Sequence, residues 1–265
     1  RDRSPSRGLG DVYKRQYPDF LFTCSEWGRQ VFIDNDPARK DTSHVVPLGY
    51  DDEIFKPVDL PSPEKTIFGN FGKFEVRKGH DVLVDIFNKA FEKEDNVVLA
   101  MMPHNFFLDQ NQTNEWMNTY LSSKLGDKIE FIPRMKTQEM AYNIMRQVHC
   151  GIFPSRAEGW NLEALELLAC GRHLIITDCT GHTEFCNHSN SRLINMTSGY
   201  ESAFDGKFFH GDGSWRSIKE DEIDQMVEHM REIHKLNQEG SLNLNTKGID
   251  SVKKFTWSNV TDILD

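Results

Sequence analysis

From Lys65 onward, short apolar runs alternate with longer stretches in which apolar residues recur at helical spacing. The runs Thr66–Phe71, Asn96–Met101, Lys128–Ile132, His149–Phe153, His173–Thr177 and Arg192–Asn195 have strand length. Between them, Asp81–Lys93, Asn114–Leu125, Gln138–Gln147 and Leu162–Ala169 carry the helical period. A further helix near Glu220–Leu236 places Ile223, Met226, Val227, Met230 and Ile233 on one face. Strand–helix alternation predicts an α/β fold, a doubly wound parallel sheet of Rossmann-like type. A ligand of such a sheet is expected at the carboxyl ends of its strands.

The flanks read differently. Phe20–Cys24 is a short strand and Ser25 caps a helix start. His44–Asp51 is a strand leading into a turn, followed by Phe55-Lys-Pro57. The last stretch, Phe255 to Leu264, predicts a Ser- or Thr-capped helix with Val260, Ile263 and Leu264 inward. Arg1–Gln16 has no usable periodicity and no initiator Met; it reads as non-native adaptor sequence or as a disordered linker.

Composition narrows the function. The 265 residues suffice for one large domain, or one domain and part of another. A formal net charge of −10 argues against a nucleic-acid partner, so an anionic ligand needs local basic residues. No apolar run reaches membrane-span length and no secretory leader is evident. Five cysteines without paired spacing suit reduced thiols in a cytoplasmic setting.

Two loops carry candidate chemistry. After the fourth predicted strand comes Pro-Ser-Arg-Ala-Glu158-Gly-Trp-Asn161, then an apolar helix stopped by Gly171. Asn161 suits the N-cap, and a strand, a tight turn and a helix N-terminus together offer free N–H groups to an anion. Glu158 precedes the helix and Glu166 lies eight residues on. The first predicted strand runs into Gly69-Asn-Phe-Gly72-Lys73-Phe-Glu-Val-Arg77-Lys78-Gly79, rich in Gly and cations. That loop is neither Gly-x-Gly-x-x-Gly nor a Walker A loop.

The Glu-x7-Glu spacing, with Ala-Cys-Gly closing the helix, resembles the retaining glycosyltransferases of the GT-B fold, family 4. So do the Lys78-Gly79 segment, the Pro47-x-Gly49-x-Asp51 turn and the Gly181-x-x-Glu184 turn. The resemblance runs from about Phe20 to the end. It implies transfer of a hexosyl unit from a nucleoside diphosphate sugar to a hydroxyl acceptor (glycan, lipid or protein), with retention and without a metal. It assigns Lys73 and Lys78 to the departing diphosphate and Glu158 to the donor sugar, the three catalytic candidates. Gly72, the Gly159–Trp160–Asn161–Leu162 loop and its N–H groups, Glu166 on the ribose and Arg134 beside the base or a phosphate complete the donor site. Two departures stand out: Lys73 replaces the family's usual Arg, and Asn161 a frequent Gly. The implied layout is 17–57 as the end of a truncated acceptor domain and hinge, 58–240 as the nucleotide-sugar-binding domain, and 241–265 as a C-terminal crossover helix. With most of the acceptor half missing, the chain alone is expected to be inactive. A GT-B nucleotide-sugar epimerase and a non-catalytic nucleotide-sugar-binding module are the rival readings. A metal site at Cys179, His182, Cys186 and His188 fits no common zinc spacing.

Overall fold

The computed structural model describes residues 19–263. The segment 1–16 and Leu264, both given a reading above, lie outside them. Residues 19–57 contain a two-stranded parallel sheet, β1 (Leu21–Thr23) and β2 (Ser43–Val45), joined through helix α1 (Glu26–Asn35). Ser25 caps α1, its Oγ accepting from the N–H of Gly28. No residue of α1 is buried, and Phe20, Phe22, Trp27 and Phe32 are exposed.

The main body follows the predicted alternation: β3 (Thr66–Asn70), α2 (His80–Ala90), β4 (Val97–Met101), α3 (Gln110–Leu121), β5 (Ile129–Phe131), α4 (Gln138–Met145), β6 (Cys150–Phe153), α5 (Leu162–Ala169), β7 (His173–Thr177) and β8 (Arg192–Ile194). The six strands form one all-parallel sheet in the order β5-β4-β3-β6-β7-β8. Strand order thus reverses between β3 and β6, the place where doubly wound sheets open a crevice. Asn70 ties the two strands there, its Nδ2 donating to the Ile152 carbonyl. Because side chains alternate across a strand, neighbouring residues enter opposite cores. Ile152, Ile175 and Ile194 join one apolar cluster with α2 and the later helix α6, whereas Phe153, Ile176 and Leu193 join the other with α5.

Several boundaries move for local reasons. The helix expected from Asn114 begins at Gln110, because Asp109 and Gln112 form a capping box. It ends at Leu121, before a turn at Gly126 whose Cα lies too close to the Leu121 carbonyl for a side chain. Residues 200–216, left without structure by the sequence reading, form an antiparallel hairpin of β9 (Tyr200–Phe204) and β10 (His210–Arg216). Then come α6 (Glu220–Gln238), α7 (Thr246–Val252) and α8 (Trp257–Thr261). The expected crossover helix is therefore two short helices. Thr256 caps the second and also bridges to Tyr50. Val260 is buried as expected, but Ile263 is exposed, since α8 has ended before it.

Candidate functional site

The loop after β3 is held by what lies under it. Phe74 is buried and stacked on Trp116, and His80, the first residue of α2, donates from Nε2 to the Gly72 carbonyl at 2.9 Å. Burial pushes the His80 imidazole down to about 3, so it is neutral. Gly72 lies flat against Lys78; a Cβ there would fall 2.9 Å from its Cδ. Gly79, with φ +76°, faces the Pro154 carbonyl so closely that a Cβ would sit 1.9 Å from the oxygen. Only glycine lets the start of α2 meet the β6 loop this way.

The charges on the two loops interlock. Lys73 Nζ lies 2.6 Å from Glu75, which also takes Arg77 at 2.8 Å. Arg77 reaches on to Glu158 at 2.8 Å, and Lys78 holds the other Glu158 oxygen at 2.7 Å. Ser155 Oγ donates to Glu158, and the Glu158 N–H donates to Thr180 Oγ1. Burial pushes the Glu158 carboxyl up, but Lys78 and Arg77 outweigh it and hold the group down at about 2. For Lys78, burial lowers the ammonium's pKa while Glu163 and Glu158 raise it; the net shift is upward, so it stays charged.

The turn that follows is strained and crowded. Asn161 adopts the left-handed region at φ 84°, ψ 75°, where its side chain caps α5 by accepting from the Ala164 N–H at 3.1 Å. Its Nδ2 is buried with no partner. Gly181 packs on this turn from the next loop: its N–H donates to the Glu158 carbonyl, and a Cβ would fall 2.0 Å from the Gly159 carbonyl oxygen.

A cleft of about 490 Å³ opens over these loops, lined by Phe71, Lys73, Lys78, Arg134, Glu163 and Phe106, among others. Three expected cations, Lys73, Lys78 and Arg134, therefore face one space. The Arg134 guanidinium sits 4.7 Å from the centre of the Phe106 ring. Gly72, Gly159 and Asn161 lie on the loops that frame Lys78 and Glu158. The Trp160 side chain does not face the cleft: it is buried between Phe185 and Phe255. Leu162 packs against the same cluster. Glu166 is half-buried, and its carboxyl makes no hydrogen bond or ion pair among the described residues. Burial, then Glu163, pushes its carboxyl up to about 8.

Sequence reasoning missed Glu75 and Glu163, one a buried bridge between two cations and the other a cleft wall. Nothing in a linear pattern shows which helical face meets a loop 85 residues earlier. Cys179, His182, Cys186 and His188 do not converge. Among the described residues no group of three or more His, Cys, Asp or Glu is placed to hold an ion. The sequence holds one Asp-x-Asp triplet, Asp34-Asn-Asp36, and it ends α1; Asp34 accepts from Gln30 and Asp36 caps the next turn. No helix among the described residues is long and apolar enough to cross a membrane.

The mostly parallel α/β sheet matches that of glycosyltransferases of the GT-B fold. The chain belongs to the glycosyl transferases group 1, whose family model matches residues 65–204. It is 26% identical over 171 residues to mannosylfructose-phosphate synthase of Agrobacterium fabrum, a match covering 60% of this chain and 37% of that protein. Among solved structures it resembles sucrose-phosphate synthase of Thermosynechococcus elongatus (TM-score 0.70, 16% identity, 99% of this chain and 61% of that one). It also resembles Anabaena HepE solved with UDP-glucose (TM-score 0.71, 14% identity, 97% and 65%). The C-terminal domain of a glycosyl transferase group 1 protein, LpcC of Francisella tularensis, is covered in full by 79% of this chain (TM-score 0.57, 18% identity). The chain spans 37% to 65% of the length of the first three of these relatives.

Proposed function

We propose that this chain is the donor-binding half of a retaining glycosyltransferase. In this reading it serves transfer of a hexosyl unit from a nucleoside diphosphate sugar to a hydroxyl acceptor. The observation that carries the reading is the meeting of Lys73, Lys78 and Arg134 in one cleft at the β3–β6 switch point, beside a Glu158 held ionised. As the bond from the anomeric carbon to the diphosphate breaks, negative charge gathers on the leaving phosphate. Fixed ammonium groups lower the barrier most where that charge develops. Lys73, less buried than Lys78, is the freer of the two ammonium groups to reorient toward it. The buried, unpartnered Nδ2 of Asn161 at the α5 N-terminus gives the diphosphate a further donor. Glu158 keeps its carboxylate for sugar hydroxyls, and Glu166 stands ready for the ribose.

The nucleotide is proposed by likeness to proteins solved with UDP and UDP-glucose. Residues 58–240 act as the donor-binding unit in this scheme. Residues 17–57 and 241–265 act as the hinge side, an assignment supported by the Tyr50–Thr256 bridge. The test is calorimetric titration of the chain with UDP, GDP and ADP without added metal, with Lys78→Ala as control. One nucleotide should bind and lose at least tenfold in affinity in the variant. Absence of binding by a folded chain, or equal binding by Lys78→Ala, would overturn the donor-site assignment.

A further inference from the structure

A second cleft, of about 520 Å³, opens on the far side of Glu158, between the Glu158 loop, α1 and the β9–β10 hairpin. Trp27, Glu158, Phe209, His210, Asp212 and Trp215 are among its walls. The hairpin is a fixed wall. At its base Arg156, buried, pairs with both oxygens of Asp81 at 2.8 Å and with Glu201 at 2.9 Å. Glu201 in turn accepts from Trp215 Nε1 and Ser217 Oγ. At its tip Asp205 accepts from the N–H groups of Lys207, Phe208 and Phe209 at 2.7–2.9 Å, which fixes the backbone there, and the Phe209 ring packs edge-on against Trp215.

The lining mixes aromatic faces with a few polar groups, the composition of a site that orients a small polar ligand. A pyranose matches both halves. Its C–H face packs on an aromatic ring, and its hydroxyls reach carboxylate and imidazole acceptors. Arg77 and Glu158 line this cleft, and Lys78, which Glu158 holds, lines the cation cleft, so a sugar bound here ends at the Glu158 carboxylate. The volume exceeds what one hexose would fill and falls within the range of sites for larger ligands. We propose that the hairpin cleft is a subsite for a saccharide acceptor, with Trp27 and Phe209 as its stacking faces. The sugar being transferred occupies only the end at Glu158. The term acceptor rests on the donor-site reading above; the presence of a saccharide site does not.

Saturation-transfer NMR on the whole chain, with and without saturating UDP, tests this. The probes are the methyl α-pyranosides of glucose, mannose, galactose and N-acetylglucosamine, and maltose. At least one should receive saturation, reduced fivefold or more in Trp27→Ala, a change at a residue 40% exposed on a helix with no buried residue. Nucleotide affinity and urea midpoint should stay at wild-type values. Phe209→Ala, on the opposite wall, should reduce the saturation as well. No transfer to any probe, or transfer unchanged in both variants, overturns the proposal. Displacement of the bound glycoside by UDP-glucose but not by UDP assigns the cleft to the donor sugar and overturns the acceptor role. Trp27-dependent glycoside binding by a chain that binds no nucleotide keeps the saccharide site and removes the donor-site reading.

Discussion

Lys78 Nζ and Glu158 Oε1 lie 2.7 Å apart although 80 residues separate them in sequence. Both are buried, and Arg77 holds the other Glu158 oxygen at 2.8 Å. The pairing joins the two loops at the switch point and sets the site before any ligand arrives. On the donor-site reading, an arriving diphosphate would therefore reorganise existing ion pairs at Lys73 and Lys78.

Losing the shared carboxylate should cost more than losing either cation. Glu158→Ala leaves Arg77 its pair with Glu75 but leaves the buried Lys78 only Glu163 at 3.9 Å, and breaking such a buried pair costs about 3–5 kcal/mol. Lys78→Met leaves Glu158 still paired with Arg77 and should cost only about 1–3 kcal/mol. Urea unfolding at pH 7 measures both, and equal losses would refute the shared-carboxylate account. The folded pKa of about 2 lies below the ordinary carboxylate value of 4.5. The group's stabilisation is thus full above about pH 4.5 and is lost as pH falls toward 2. Glu158→Gln should flatten that part of the profile.

Asn161 combines two opposing effects. Its left-handed backbone at φ 84° and its unpartnered Nδ2 both cost stability, whereas its cap to Ala164 adds some. Asn161→Gly removes both costs and, at a cap, loses only a few tenths of a kcal/mol. Its stability should be unchanged or higher by about 1 kcal/mol. Asn161→Ala keeps the strain, loses the cap and should fall by about 1–3 kcal/mol. If the donor-site reading holds, the Gly variant should also bind nucleotide more weakly, because Nδ2 is gone. A Gly variant that is clearly less stable would mean the cap dominates.

The sheet was legible because its signal is local. Each strand is a short apolar run and each helix a periodic one, so five helices and six strands of the main body fall where pattern places them, within a few residues. Lys73, Lys78 and Glu158 were legible from family spacing. What was hidden depends on packing. Glu75 is unremarkable in sequence, and only folding puts it between Lys73 and Arg77. The hairpin was hidden because Gly206, Gly211 and Gly213 interrupt any apolar alternation. Its stability comes from Arg156 and Glu201, which are 45 residues apart. Trp160 reads as part of the loop, but its ring fills a core gap beside Phe185 and Phe255.

Two glycines at this turn should behave oppositely. A Cβ on Gly181 would lie 2.0 Å from the Gly159 carbonyl oxygen, so Gly181→Ala must push the Glu158 turn away. That overpacking should cost about 1–3 kcal/mol and weaken nucleotide binding. A Cβ on Gly159 meets only Cys24 Sγ, at 3.6 Å, so Gly159→Ala should leave the urea midpoint unchanged. Any loss of nucleotide affinity in that variant then reports contact of the ligand with the turn itself. A destabilised Gly159→Ala would show that the turn is packed more tightly than its surroundings indicate.

Glu166 offers a proton-linked test of the ribose assignment. Its carboxyl is pushed up to about 8, so at pH 7 roughly nine-tenths of it carries a proton. A group with a raised folded pKa stabilises below its unfolded value, 4.5, and loses that contribution as pH rises through 8. Glu166→Gln should therefore hold its stability between pH 7 and 9 better than the parent chain. If the carboxylate form accepts the ribose hydroxyls, nucleotide binding must drive the proton off, releasing close to one proton per nucleotide at pH 7 and almost none at pH 9. Calorimetry in Tris and in HEPES, whose ionisation enthalpies differ, reads this release directly. Glu166→Gln should abolish it and bind more weakly. Binding without proton release in the parent chain, at pH 7, would mean that Glu166 stays protonated and donates to the ligand, or does not touch it; Glu166→Ala separates these, since removing the donor weakens binding only in the first case.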